Sequence, residues 1–455
     1  MAHEFTSVPK LFLFLIISTL QISSIKGDYI TINYTQRLDH FGYYGDTYDL
    51  TFVQKVFLDD SHWAGAESGA PIIVLFGGEA GHTYGPEVNG VMVDSGVAFK
   101  ALLVHIQHRF YGNSIPLDSI DLAMADHRIR GCLTTQQALQ DYAEIIMSLK
   151  ANFSAFASPV IVMGCGYSGA LAAWFRLTYP HIAIGALASS APMLYYGNYT
   201  QTDGFCDIVS KDFEDFNPKC HEWIRKSWEK IDEVAAQPNG VEHLSHAFNT
   251  CRPLQSSTEV KQWLGQQYSF AAKYAESQST QLNRICSILL SEEYHPFEGM
   301  LHALQGPIYN AHCFEPLLIE VESPFEPPTN WTTAWAWQRC TELVFPIGCG
   351  KPTMLPSQPF DRNSFDKWCQ KRFGVSPRPR LPITFLRGRI IGETIQGFGG
   401  NIIISNGLRD PFSSGGILED VSKTIIAIKT TQGSFCSDMD AKDNLYPDPK
   451  WLKQL

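Results

Sequence analysis

Residues 159–176 read PVIVMGCGYSGALAAWFR. A short apolar run passes through a glycine turn into a helix, and a strained strand–turn–helix corner of this kind lifts one side chain to the carboxyl edge of a sheet, ahead of a helix N-terminus. A serine there, in the pattern G-x-S-x-G, is a nucleophile for acyl transfer. In this chain Gly164 opens the pattern, the nucleophile position two residues later is Gly166, and Ser168 and Gly169 follow. Glycine offers no attacking atom. A second local pattern, Gly166-Tyr-Ser-Gly-Ala170, offers Ser168 as an alternative nucleophile by sliding the corner two residues into the helix. Ser168 is otherwise read as a small turn residue. His82, beyond the Gly77-Gly78-Glu79 loop, reads as an exposed loop histidine, and His105 and His108 read as structural. No paired CxxC spacing occurs, so no metal centre is expected, and the chemistry considered calls for no cofactor.

The elements around this corner follow from hydrophobic spacing. Residues 71–76 (PIIVLF) and 101–106 (ALLVHI) are short apolar runs of the buried-strand type, the first ended by Gly77-Gly78. Residues 135–150 have helical spacing, with Ala138, Leu139, Tyr142, Ala143, Ile146 and Leu149 on one face and Thr134 as the cap. A strand at 159–163, a helix over about 170–179 and a strand at 182–187 complete the alternation. Such alternation predicts an α/β fold with a mostly parallel sheet and helices on both faces. Between 198 and 373 the strand signal fades, cysteines concentrate and helical stretches such as 261–274 dominate. Residues 376–382 (SPRPRLP) form a stiff linker by composition, after which strands resume at 401–404 and 424–428. The predicted plan is a targeting segment at 1–27, a first α/β part at 28–197, a mainly helical, disulfide-linked insertion at 198–375 and a second α/β part at 376–455.

The chain has 455 residues, enough for a large domain with an insertion. Lys10 precedes the apolar run 11–20, and Ser23, Ser24 and Gly27 follow it, the layout of a cleaved signal peptide that is too short to span a membrane. No later run approaches transmembrane length. With 35 Lys and Arg against 46 Asp and Glu the net charge is −11, and no basic run occurs, which excludes a nucleic-acid partner. Sequons at Asn33, Asn152, Asn198 and Asn330 agree with passage through the secretory route. Of eleven cysteines, eight fall between Cys206 and Cys369, while Cys132, Cys165 and Cys436 lie outside. An even cluster in an exported chain reads as a disulfide framework, with 105 connectivities open to eight cysteines.

Several long segments resemble one family, that of lysosomal Pro-X carboxypeptidase and dipeptidyl peptidase II, serine exopeptidases that cut next to proline. Residues 164–181, GCGYSGALAAWFRLTYPH, resemble the family's GGSYGGMLAAWFRxxYPH without a gap. LDHF at 38–41 resembles VDHF, QHRFYG at 107–112 resembles EHRYYG, and LTTQQALQDYA at 133–143 resembles LTSEQALADYA. WAWQRCTE at 335–342 resembles WxWQxCTE, and SNGLRDP at 405–411 resembles SNGxxDPW. The resemblance runs from about residue 29 to 455 and implies an α/β-hydrolase fold with the helical insertion over its active-site face.

The resemblance also implies site residues. The family's serine maps to Gly166 and its aspartate to Asp410, which is present. Its histidine lies in a segment resembling EGAHHxDLR, here QGSFCSD at 432–438, so Phe435 and Cys436 occupy both histidine positions. The apolar proline pocket maps to Ala170 in place of a methionine, to Phe412 in place of a tryptophan, and to Trp335 and Trp337. The eight clustered cysteines match the family's bridges Cys206–Cys349, Cys220–Cys286, Cys251–Cys313 and Cys340–Cys369. The family's elbow and histidine loops converge, which brings Cys165 and Cys436 close. Two buried free thiols are expected there, and a bridge requires α-carbons within about 7 Å.

Removing the serine or histidine of a triad costs on the order of 10⁶ in kcat. The expectation is therefore a hydrolytically inactive protein that binds peptides with proline near a terminus. The alternative is an active serine peptidase using Ser168 with a displaced base. The expected location is the secretory route, ending outside the cell or in a vacuole or lysosome, with no membrane partner and a homodimer as an open assembly. The family continues past this region into a closing helix, whereas the sequence ends at Leu455, just after Trp451-Leu452.

Overall fold

The structure, a computed structural model, describes residues 20–26, 29–42, 45, 47, 49–81, 89–197, 202–275, 280–291, 296–304, 313, 332–379, 381 and 400–440. The chain forms two compact units, Met1–Ile161 and Val162–Leu455. No helix among the described residues is long and apolar enough to cross a membrane.

The first unit contains strands β1 (Leu20–Lys26), β2 (Tyr29–Arg37), β3 (Thr51–Asp59), β4 (Ile72–Phe76) and β5 (Leu102–Ile106) in the order β1-β2-β3-β5-β4. β4 and β5 pair in parallel and every residue of both is buried, as their continuous apolar runs require. β1, β2, β3 and β5 pair antiparallel, so this part of the sheet departs from the mostly parallel reading. The reason is visible in β2, where buried Ile32, Tyr34 and Gln36 alternate with polar residues, a period-two signal without an apolar run. β1 falls within the expected targeting segment.

Helices α1 (Gly90–Phe99), α2 (Ile120–Ala125), α3 (His127–Arg130) and α4 (Thr135–Asn152) complete this unit. Thr134 caps α4 by accepting from the Gln137 N–H at 3.2 Å. The six apolar residues of its periodic face are all buried. Tyr142 stacks on Phe76 with ring centres 4.1 Å apart and donates to the Gly77 carbonyl at 2.9 Å, tying α4 to β4.

Three of the sequence motifs meet inside this unit. Arg109 is completely buried. Its guanidinium forks onto Asp141, with Nε to Oδ2 and Nη2 to Oδ1 both at 2.6 Å, and its Nη1 donates to the carbonyls of Leu38 and Cys132 at 2.8 Å. His40 Nε2 meets Asp141 Oδ1 at 2.7 Å, and Gln137 binds both the His40 N–H and the Asp39 carboxylate. Burial alone would lower the His40 imidazole, but the carboxylates of Asp141 and Glu144 beside it reverse this and hold it above its ordinary value. His105 and His108 are buried. His108 contacts the Arg109 carbonyl at 2.7 Å, and burial pushes its imidazole down to about 4. Cys132 is buried and unpaired. His82 lies outside the described residues.

In the second unit β6 (Val160–Cys165), β7 (Gly185–Ser189), β8 (Ile402–Gly407) and β9 (Ile425–Thr430) follow one another across the sheet, with β7, β8 and β9 parallel. Helix α5 (Tyr167–Thr178) follows β6 directly, three residues earlier than the sequence spacing indicates, because the corner at Gly166 leaves no connecting loop. Between β7 and β8 lie α6 (Gly204–Phe216), α7 (Pro218–Ala235), α8 (Gly240–Ala247), α9 (Ser257–Lys273), α10 (Thr280–Leu289), α11 (Pro296–Leu304), α12 (Thr332–Thr341) and α13 (Arg362–Phe373), with no strand among the described residues. Disulfides join Cys206 to Cys349, Cys220 to Cys286, Cys251 to Cys313 and Cys340 to Cys369, with α-carbons 5.0–5.5 Å apart. The last of these clamps α12 to α13 around Phe365 and Trp368.

Two sequons can be placed. Asn33 lies half-buried on β2, where its Oδ1 accepts from Lys55 Nζ at 2.6 Å, and Asn152 ends α4. Asn198 and Asn330 lie outside the described residues, as do residues 441–455.

The Arg109–Asp141 pair generates a stability prediction. Breaking a buried ion pair by neutralising one partner leaves an uncompensated charge, worth about 3–5 kcal/mol. Asp141→Asn is therefore expected to lower the unfolding free energy by that amount in urea titrations, whereas a loss under about 1 kcal/mol would show that the pair is not an essential contact.

Candidate active site

The corner between β6 and α5 is built by close backbone approach. A side chain on Gly164 would place its Cβ 2.3 Å from the backbone of Ser168, so strand and helix meet only because this residue is glycine. Gly166 then turns with φ 63° and ψ −121°, a conformation in which L side chains are strained. Its N–H donates to the Ser189 carbonyl at 2.9 Å, and its own carbonyl accepts from Ala170. The expected nucleophile position is thus held in the sharp geometry of an elbow, with no side chain on it.

Another side chain occupies the adjoining space. A Cβ built on Gly166 would lie 2.9 Å from Phe435 Cζ and 3.4 Å from its Cε2, so the phenylalanine ring stands where a serine hydroxymethyl group would project. The ring has many supports. The Phe435 N–H donates to the Lys273 carbonyl at 3.0 Å. The Lys273 ammonium sits 3.8 Å from the Phe435 ring centre, 5.0 Å from that of Phe412 and 5.3 Å from that of Tyr274. Phe412 and Tyr274 lie 5.7 and 5.9 Å from Phe435, centre to centre, and Phe412 rests on Phe205 and Phe345.

Cys165 and Cys436 do not remain free thiols. Their α-carbons are 5.9 Å apart and the sulfurs are bonded, which corrects the expectation of two buried cysteines. The bridge joins the residue before Gly166 to the residue after Phe435. Cys436 has φ 53° and its N–H donates to Ser190 Oγ at 2.9 Å.

Asp410 follows β8 and is completely buried. Its Oδ1 accepts from the Phe412 N–H at 2.9 Å, while Oδ2 has no hydrogen-bond partner among the described residues. Burial pushes the carboxyl up to about 7, opposed by the Phe412 N–H, the nearby Ser190 hydroxyl and the Lys273 charge. Burial likewise raises Asp438, whose Oδ1 accepts from the Ser189 hydroxyl. Beside Asp410, Arg409 approaches Asp212 of α6 at 3.3 Å, yet burial still pushes Asp212 up to about 8.

Ser168 is turned inward. Its Oγ accepts from the Cys165 N–H at 2.9 Å and donates to the Cys165 carbonyl at 3.0 Å, so both hydroxyl functions are spent on the corner's own backbone. No described histidine bonds to it. Ala170 is completely buried in α5, Phe412 is half-exposed, and Trp335 packs 5.5 Å from Tyr167, the first residue of α5. Trp337, on the same helix, packs 5.5 Å from Phe373 of α13. The structure thus gathers Gly166, Phe435, Phe412 and Asp410 around one point, with Trp335 reaching the elbow through Tyr167. Sequence reasoning missed Lys273 and Ser190, and no local pattern marks either.

The family model for Serine carboxypeptidase S28 matches residues 36–453. Lysosomal Pro-X carboxypeptidase of Bos taurus is 32% identical over 440 residues, covering 92% of this chain and 85% of its own. The Homo sapiens protein of the same name is 30% identical, covering 94% and 86%. Thymus-specific serine protease of Homo sapiens is 24% identical, covering 86% and 78%. With its α/β-hydrolase-like architecture and the strand–turn–helix corner at Gly166, this chain belongs to the serine carboxypeptidase S28 family.

Proposed function

We propose that this chain is a proline-peptide-binding member of its family that does not hydrolyse what it binds. The single observation that carries the reading is the Phe435 ring against Gly166, where acyl transfer needs a hydroxyl and a proton acceptor. Phenylalanine accepts no proton, and Ser168 is already bonded twice to Cys165. Asp410, without an imidazole, keeps one carboxylate oxygen unpartnered. Phe412, half-exposed beside Phe435, still offers aromatic surface of the kind a proline ring packs on. The sequons, the bridges and the printed names of the lysosomal relatives support a route through the secretory pathway, with a lysosome, vacuole or the cell exterior as destination.

A fluorophosphonate probe tests the reading directly. No serine of the native chain is expected to label, and stoichiometric labelling of Ser168 with turnover of a proline peptide would overturn it. Gly166→Ser alone is expected to cost about 1–3 kcal/mol, because the residue is strained at positive φ and meets the Phe435 ring. Gly166→Ser combined with Phe435→His relieves the overlap and supplies the missing groups, and should restore probe labelling at residue 166 with measurable peptide hydrolysis.

Asp410 sets a pH dependence. Its folded value near 7 lies above the ordinary carboxylate range, so its share of stability is complete below about pH 4 and is lost as pH rises through 7. The corresponding free energy is on the order of 4 kcal/mol. Asp410→Asn is expected to flatten the fall in Tm between pH 5 and pH 8 relative to the native chain; identical slopes would contradict the assignment.

A further inference from the structure

Cys165–Cys436 differs from the other bridges in its place. The four bridges of the helical region join helices and loops away from the elbow, whereas this one links the residue before Gly166 to the residue after Phe435. Six cysteines of the helical region, Cys206, Cys220, Cys286, Cys340, Cys349 and Cys369, are at most 2% exposed. Cys165 is half-exposed, as is Cys313, and Cys251 is exposed. Of the elbow bridge, Cys165 is thus partly open to solvent while Cys436 is buried.

We propose that Cys165–Cys436 is a site of thiol–disulfide exchange with low-molecular-weight thiols, and that its reduction lifts Phe435 from Gly166 and opens the pocket. A thiolate of the external thiol attacks Sγ of Cys165, the less buried residue of the two. The S–S bond breaks, its electron pair leaves on Cys436, and that sulfur takes a proton from water. A second thiolate attacks the external sulfur of the mixed disulfide, and Cys165 leaves as thiolate. Two external thiols become one disulfide, and the bridge gains two electrons and, once the Cys165 thiolate takes up a proton from solvent, two protons. Cys165 stands just before the N-terminus of the twelve-residue α5, whose positive end stabilises the departing thiolate.

Within residues 432–440 the bridge is the one covalent cross-link, and every other tie is noncovalent. Gly433 accepts from the Arg409 N–H, Phe435 donates to the Lys273 carbonyl and packs on Lys273, Phe412 and Tyr274, Cys436 donates to Ser190 Oγ, and Asp438 accepts from the Ser189 hydroxyl. Cys436 is also held at φ 53°, a backbone conformation unfavourable for a residue with a side chain, which it can leave once the covalent constraint is gone. The peptide pocket is the one in the reading above, so the test uses no peptide for its main readout.

The intact chain is titrated with reduced and oxidised glutathione, quenched by alkylation and mapped by mass spectrometry, with amide hydrogen exchange measured in parallel. Alkylation of Cys165 and Cys436 is expected at ratios that leave Cys206–Cys349 and Cys340–Cys369 intact, together with at least tenfold faster exchange over residues 432–439 and unchanged exchange in β8. The double variant Cys165→Ala, Cys436→Ala should show the same fast exchange without thiol and no further response to glutathione. The proposal fails if the elbow bridge survives until the buried bridges open, or if 432–439 stays protected once it is reduced. Opening without capture of a proline peptide would support this proposal and sink the peptide-binding reading alone.

Discussion

The contact between the Phe435 ring and the backbone at Gly166 constrains the rest of the centre. An aromatic ring lies this close to an elbow only if the elbow carries no side chain, and an elbow without a side chain leaves a void unless something fills it. Interiors tolerate neither overlap nor empty space. Gly166 and Phe435 are therefore one packing solution. Lys273, Phe412 and Tyr274 extend it outward by stacking and cation–π contact, and the Cys165–Cys436 bridge holds both sides in register. Burial of Asp410 raises its proton affinity against the opposing Phe412 N–H, Ser190 hydroxyl and Lys273 charge.

The first unit shows a different use of strongly patterned sequence. LDHF, QHRFYG and LTTQQALQDYA read as family marks, yet Asp39, His40, Arg109, Gln137 and Asp141 from these segments join in a buried ionic network. Such a network is rigid because each member satisfies another's charge or donors. These motifs therefore report on how the strands and α4 are fixed together.

Much of this was legible in the sequence. Continuous apolar runs located β4, β5 and β6, and helical spacing with a threonine cap located α4. The G-x-G corner marked the elbow, with glycine at its turn. β2 and β3 were not legible, because alternating polar residues such as those of 29–37 carry no apolar run and their partners are set by tertiary pairing. Lys273 could not be anticipated either. It reaches Phe435 across 162 positions of sequence, and nothing in a helix C-terminus states which ring it will meet. The elbow bridge was open to either reading, since two cysteines on converging loops fix proximity but not bonding. Four bridges follow the pairing that the family resemblance implies, and the fifth depends on atomic distance.

Ten cysteines are paired, and the odd one, Cys132, lies inside the first unit. Burial pushes its thiol up to about 12, so at any physiological pH almost none of it is thiolate. Its sulfur is turned to the Arg128 carbonyl. A free thiolate is what scrambles established pairings, and this chain carries its spare sulfur in a form that cannot initiate the exchange. Once the first unit has closed around it, Cys132 is a poor initiator of exchange with the five bridges.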